Sequence, residues 1–488
     1  MKFFRSDAAA FSLLAVGLLS MALQVPFASP ESKNIGVAPQ TEIGFIEAPL
    51  LAPGAPNKQF PRGSRLVRMT VGGQLRSPVN LTPQFFAVAN PRISFDGSHV
   101  LFSAQTEKDA GWQIWEMAAD GSHPRQLTHC LGDCLQAAYL PGDRIVYTAI
   151  GGNGPQRSSV LYVGQGNGEN AHPITFGPGD FQVETVLHSG RILVSAESPL
   201  VAGGAGWGHR ALYTIRPDGT GLHLFRQDAS AGSVCASAEE LEDGTILFVE
   251  RNGVAGGRVG GELASIPPGS LHRVVMTAPP SVYESAQELQ AGTLVVARRN
   301  SGPSPASLTF DLYSFDLARR SLGEILYRQS KISSVSPTPF VPHPAPLYYP
   351  SILHPEQKTG RMLCLNSYMS AEAAHGRIAG RIAQVRVIAL EQGGRERILG
   401  NAPVEKDGSF YMTVPSDTPV RFALLDPGGA VLRAQKSWIW TRPGEDRGCL
   451  GCHESQALAP ENRRPLTLTR SDTPTPVGVP VRRRETPE

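Results

Sequence analysis

Beyond its first two dozen residues this chain has no apolar run long enough to cross a bilayer. It also lacks a charge excess: Lys plus Arg number 45 and Asp plus Glu 43, for a net charge of +2. That balance gives no electrostatic case for nucleic acid or for anionic lipid as a partner. No G-x-S-x-G elbow and no convincing His-Asp-Ser arrangement is present, which removes the sequence basis for a hydrolase. Helix-forming sequence is sparse. What abounds is punctuation, with 51 glycines and 41 prolines, the mark of a turn-rich, mainly β protein. At 488 residues the chain is too long for one ordinary core unless it is a repeat array.

The first residues, "MKFFRSDAAAFSLLAVGLLSMALQVPFASPESKN", place Lys2 and Arg5 before an apolar run from Ala8 to Leu23. This predicts a cleaved export signal over residues 1–28, with Ala22 or Ala28 before the cut and a linker over 29–59. A retained membrane anchor is the alternative reading. No cysteine follows the run, so lipid anchoring there is excluded. The expected location is the periplasm or another extracytoplasmic space, with no membrane span after cleavage. Export permits disulfides, and Cys130 and Cys134 in "THCLGDCLQ" are close enough to bridge across a short turn. His129 beside them suggests a metal as the other reading. Cys235 and Cys364 read as buried thiols.

Five stretches share a glycine turn followed by a β-branched or aromatic run: "SFDGSHVLFSA", "YLPGDRIVYTA", "LHSGRILVSAE", "LEDGTILFVER" and "LQAGTLVVARR". Their glycines, Gly97, Gly142, Gly190, Gly244 and Gly292, are 45, 48, 54 and 48 residues apart. Each run precedes a second strand-like piece, such as "WQIWEMAADG" or "RALYTIRPDG". A unit near 50 residues built of short strands and tight turns is a propeller blade in period and content. "NPRISFDGSHVLFSA" with "QIWEMAADGSHPRQLT" resembles the repeats of TolB-like propellers. The expectation is an all-β fold: a six-bladed TolB-like propeller over 60–350, with seven blades as the alternative, closed by a strand from each end. The Asp-Gly pairs read simply as turns. "SPTPFVPHPAPLYYPSILHPEQ" reads as an extended connection. Residues 351–440, with "AQVRVIALEQ", "GSFYMTVP" and "PVRFALLDPGGAVLRAQKSWIW", read as a small β-sandwich. Residues 471–488 lack an apolar pattern and are expected to be a disordered tail.

Within 441–470 stands "RPGEDRGCLGCHESQ", a Cys-x-x-Cys-His motif at Cys449, Cys452 and His453. Composition alone predicts only ~0.002 such motifs. Two thiols at this spacing add across the two vinyl groups of one porphyrin, and the adjacent histidine reaches the iron. One covalent haem c is therefore expected, with Cys449 and Cys452 as thioether sites and His453 as axial ligand. A zinc site needs two further ligands at matching spacing, and neither a second Cys-x-x-Cys nor a clustered His pair follows. A thioredoxin-like pair wants a βαβ setting, which is absent. Too little helical sequence surrounds the motif for a free-standing cytochrome, so the haem must rest on the β-module, the propeller rim or a partner.

The order of export signal, propeller, small β-domain and "SWIWTRPGEDRGCLGCHE" resembles the hydrazine synthase alpha subunit family, most specifically over "APVEKDGSFYMTVPSDTPVRFALLD…KSWIWTRPGEDRGCLGCHE". The resemblance implies a propeller, c-type haem and a place among other subunits. It also implies a second haem motif and a tyrosine one helical turn past the motif histidine; this chain has one motif, and Ala457 at that position. For the iron's other face His354, His375, Met369 and Met412 are the nearby candidates, each with an ordinary surface or core role as the alternative. Trp438 and Trp440 share one face of a strand, either in the sandwich core or against the porphyrin edge. The expected function is periplasmic electron transfer with a redox partner protein, or service as the haem-bearing subunit of a redox complex. The alternative is a propeller scaffold that binds protein or glycan, its haem sensory or minor.

Overall fold

The computed structural model describes residues 40–479, apart from 53–58, 73–76, 152–157, 198–209, 226–233, 252–258, 271, 279, 300–308, 371–372, 374–375, 436 and 452–461. The expected signal segment lies outside the described residues. Among those residues no helix is long and apolar enough to cross a membrane. The protein is all-β: a β-propeller followed by a two-sheet sandwich.

Among the described residues the propeller strands form three four-stranded sheets and one twelve-stranded sheet, in which three antiparallel groups of four are joined by single parallel bridges, Ser159 to Asp180 and Arg210 to Val234. Each group of four begins with an inner strand, and all but the group ending in Ser321–Tyr327 finish with a two-residue outer one; in the second, Ala87–Ile93 pairs with His99–Gln105, then Gln113–Ala118, then Arg125–Gln126. The five repeat glycines sit in the turns after the inner strands, with φ between 73° and 82°. A side chain is disfavoured in that region, which is why the repeat keeps glycine there. The first group draws on both ends of the domain: Ser333–Pro339 is its inner strand and pairs with Thr41–Ala48, which pairs with Arg65–Val71. Residues 41–48 were expected to be linker. They are instead the strand that closes the ring, carrying Ile43, Phe45 and Ile46 into the core with no exposure. An unpaired terminal edge is the liability this arrangement removes.

After Pro339 the chain becomes a strap across the propeller's turns. His343 N donates to Phe95 O at 2.9 Å, Leu347 N to His188 O at 2.9 Å, and Ile352 N to an Asp218 carboxylate oxygen at 3.2 Å. Arg144 lies 5.0 Å from the Tyr348 ring centre, and Arg216 lies 5.1 Å from that of Tyr349. Pro342, Tyr348 and Leu347 press on Gly97, Gly142 and Gly190, where any Cβ would collide with them. Three of the five repeat glycines therefore serve the strap as well as the turn.

The strap delivers the chain to the sandwich. One sheet holds Asp446–Cys449, Thr359–Cys364, Phe410–Pro415 and Thr475–Pro476; the other holds Glu396–Pro403, Gln384–Leu390, Val420–Leu425 and Val431–Ala434. Alternation such as "QVRVIAL" turns Val385, Val387 and Ala389 inward. Two boundaries differ from expectation. The strand Asp446–Cys449 belongs to the sandwich, not to a separate attachment segment. Thr475–Pro476 pairs parallel with Met412–Thr413, and Val477 is buried in the sandwich core, so the tail is anchored there. One valine between proline and glycine makes no periodic pattern, and none was legible.

Candidate functional site

The segment before the motif is a clamp between propeller and sandwich. Trp440 is 1% exposed, yet its neighbours belong to the propeller: Phe176 and Phe181 meet it edge-on at 5.9 Å, and its indole N–H donates to Gly219 O at 3.3 Å. Trp438 lies beside Gly177 on the same side, with Arg421 over its ring at 5.5 Å. Trp440 thus anchors the two domains to each other, where a sandwich-core place was one expectation. Arg442, also buried, donates Nε to Asp218 O at 2.9 Å and Nη1 to Asp417 Oδ1 at 2.6 Å, and lies over the Phe176 ring at 4.9 Å. Burial raises the Glu445 pKa, opposed by the Arg442 N–H it accepts at 2.7 Å and by the charge of Arg447. Arg447 donates to Trp440 O at 2.8 Å. Asp218-Gly219, read as an ordinary turn, is the propeller's receiving point for both strap and clamp; the sequence carries no sign of that.

Beyond the clamp, Asp446–Cys449 runs parallel to Thr359–Cys364 as the edge strand of its sheet. Asp446 forms an ion pair with Arg361 at 2.5 Å, and Cys449 stands beside Cys364 in register. The pairing continues past the strand: Leu365 N donates to Cys449 O at 2.9 Å and Asn366 N to Leu450 O at 3.1 Å. Gly451 is seated on Met369, where a Cβ would lie 2.7 Å from the Met369 carbonyl oxygen and 2.8 Å from its Cβ. Glycine between the two motif cysteines is therefore a packing requirement. The half-buried Cys449 packs against the apolar sandwich core, beside Cys364. Cys452, His453 and Ala457 lie outside the described residues.

The structure separates the candidates for a second iron ligand. Met369 is brought to the motif backbone. Met412 has no exposure and belongs to the sandwich core. His354 is exposed, with its ring 3.4 Å from Glu356 and its Cβ against Gly444. His375 lies outside the described residues. Of the cysteines beyond the motif, Cys130 and Cys134 form a disulfide with Cα atoms 6.2 Å apart, and Cys235 and Cys364 are buried.

A second polar centre occupies the propeller axis, a cavity of about 180 Å³. Inner strands break register there, and Asn90, Gln136, Ser237 and Ser336 take left-handed φ values of 50° to 54° at those bulges. Arg92, Arg210 and Arg251 share the space with Glu184 and Glu284. Burial raises both carboxyl pKa values and lowers that of Arg251.

Residues 361–454 match the family described as the hydrazine synthase alpha subunit middle domain. Over 111 residues the chain is 32% identical to hydrazine synthase subunit alpha of Kuenenia stuttgartiensis, a stretch that is 22% of this chain and 14% of that protein. The solved Kuenenia stuttgartiensis hydrazine synthase superposes with a TM-score of 0.77 at 20% identity, covering 88% of this chain and 72% of that chain. At that identity the likeness is one of fold, and it spans both propeller and sandwich. The matched segment contains the edge strand and its Cys-x-x-Cys-His, and residues 361–454 are a hydrazine synthase alpha-like middle domain.

Proposed function

We propose that this is an exported haem c protein that acts in electron transfer, or as the haem-bearing subunit of a redox complex. The observation that carries the reading is the placement of Cys449: half-buried, against an apolar core, on an edge strand held at both ends. These surroundings fit a porphyrin, which needs an apolar wall beside its thioether and a backbone that does not wander. Cys449 and Cys452 would hold the group, and His453 would bind its iron. When bound, haem supplies a one-electron centre, or a site for a small molecule if one face stays open. The chain's own part is positioning: Arg361 ties down the start of the strand, Gly451 seats its end on Met369, and Trp440 and Arg442 fix the segment against the propeller.

Ala457 stands where the family resemblance implies a tyrosine, so His453 is left to bind iron in the ordinary way. Electron transfer or a supporting role is favoured over catalysis on that ground. The name of the relative, a subunit, supports partner subunits for this chain also. Oxidised and reduced optical spectra of matured protein test the reading. Low-spin spectra and slow or absent carbon monoxide binding are expected. Rapid stoichiometric binding by the unmodified ferrous protein would favour an enzyme.

A further inference from the structure

Next to the motif the sandwich carries a groove with an apolar floor and a cationic rim. Its floor includes Tyr368, Ile378 and Leu432, and its charged lining is Arg377, Arg381, Lys406 and Arg433. Among the described residues no carboxylate lines it, and no ion pair involves Arg377, Arg381 or Lys406. The neighbouring carboxylates are engaged elsewhere: Glu405 pairs with Arg470 at 2.9 Å, and Asp407 accepts from the Leu466 N–H at 2.9 Å and from Ser409. Arg377 is partly fixed, its guanidinium 4.7 Å from the Tyr368 ring centre. The like charges of Arg377, Arg381 and Lys406 around one concavity repel one another, so an anion is the ligand their placement suits.

Position narrows the anion. Gly451 lies on Met369, and Met369 forms an antiparallel bridge with Arg377. Two such neighbour spacings put the Arg377 backbone about 10 Å from the middle of the Cys-x-x-Cys loop. Tyr368, the groove's buried floor, is the residue before Met369 and is locked by Ile382 N donating to its hydroxyl at 3.0 Å. A haem carries its two propionates on the edge away from its vinyl groups, so thioethers at one end leave paired carboxylates to be met farther off. We propose that Arg377 and Arg381, with Lys406 and Arg433, form the propionate-binding end of the haem site, an inference that rests on the haem reading above. Guanidinium is suited to this because its fork matches a carboxylate with two parallel hydrogen bonds.

The test uses full-length protein matured with haem c machinery, comparing wild type with Arg377→Gln/Arg381→Gln. Pyridine haemochrome should show equal covalent haem in both. The reduction midpoint of the variant should fall, because cations that favour the less positive ferrous haem are gone. The pH at which the midpoint bends, reporting propionate ionisation, should rise by about one unit or more, since nearby cations depress a carboxyl pKa. Arg319→Gln/Arg320→Gln, a charge-matched change on a propeller turn, should move neither. Equal haem with an unmoved midpoint and bend would overturn the groove assignment while leaving the haem reading intact. Absence of covalent haem in wild type would overturn both. If the double variant does not mature, Lys406→Gln alone should give a smaller upward shift, and no shift counts against the proposal. Inorganic phosphate offered to Cys449→Ala/Cys452→Ala protein tests the other source of anion. Saturable binding that also persists undiminished in haem-loaded protein would mean a free-anion site and overturn the propionate assignment.

Discussion

Glu284 reaches the propeller axis from the strand Tyr283–Gln290 with only 6% exposure. It accepts from Ser336 N at 3.1 Å and Ser285 Oγ at 2.5 Å, but burial outweighs these bonds and the nearby Arg251, and its pKa is raised. The native state therefore holds this proton more tightly than the unfolded chain does. Stability falls as pH rises from the unfolded pKa toward the folded one, and above that window the ionised carboxylate is a constant cost. Glu284→Gln keeps an acceptor for Ser336 and removes the charge, while Arg251 retains Glu184 nearby. The variant should melt higher than wild type at pH 8 and equally at pH 4, where the carboxyl is largely protonated in both states. An unchanged or lower melting temperature at pH 8 would count against the burial cost.

Elements join the two domains through few residues, and Trp440 is the largest of them. Replacing it with alanine removes an aromatic side chain from a closed site, at a cost of about 3–5 kcal/mol. Trp440→Ala should therefore lower the melting temperature and expose the strap, 340–358, to limited proteolysis; Trp440→Phe should do much less. A protected strap in the alanine variant would show that Arg442 and the strap's own bonds suffice. The repeat glycines were legible as turns because positive φ leaves a sequence mark. Their second duty under the strap was not, since a contact partner more than 150 residues away leaves none. The spacing of Trp438 and Trp440 announced a shared face but could not say which domain that face would meet. Likewise Thr41–Ala48, a short run between Pro39 and Pro49 with Gly44 inside it, showed no clean alternation to be read as a strand. The basic groove was hidden for a simpler reason: Arg377, Arg381, Lys406 and Arg433 come together only through sheet pairing, and separately each looks like a solvated charge.

At the scale of the whole molecule, ring closure depends on a strand from outside the repeat. Thr41–Ala48 lies between Ser333–Pro339 and Arg65–Val71, so deleting residues 40–48 splits the first group and bares two sheet edges. That deletion should give aggregated material or a broad, low transition; a soluble, sharply melting product would mean the propeller closes without it. The motif itself needed no structure to be seen, because a Cys-x-x-Cys-His run is rare by composition and visible in one short stretch of sequence. What the fold adds is a paired edge strand and an apolar wall beside Cys449. The central claim is one covalent haem on Cys449 and Cys452. It is tested most directly by the mass and pyridine haemochrome of denatured, washed protein from cells with haem c maturation machinery. One added haem and a haemochrome band are expected, both abolished in Cys449→Ala/Cys452→Ala; an unchanged mass in matured wild-type protein would contradict the claim.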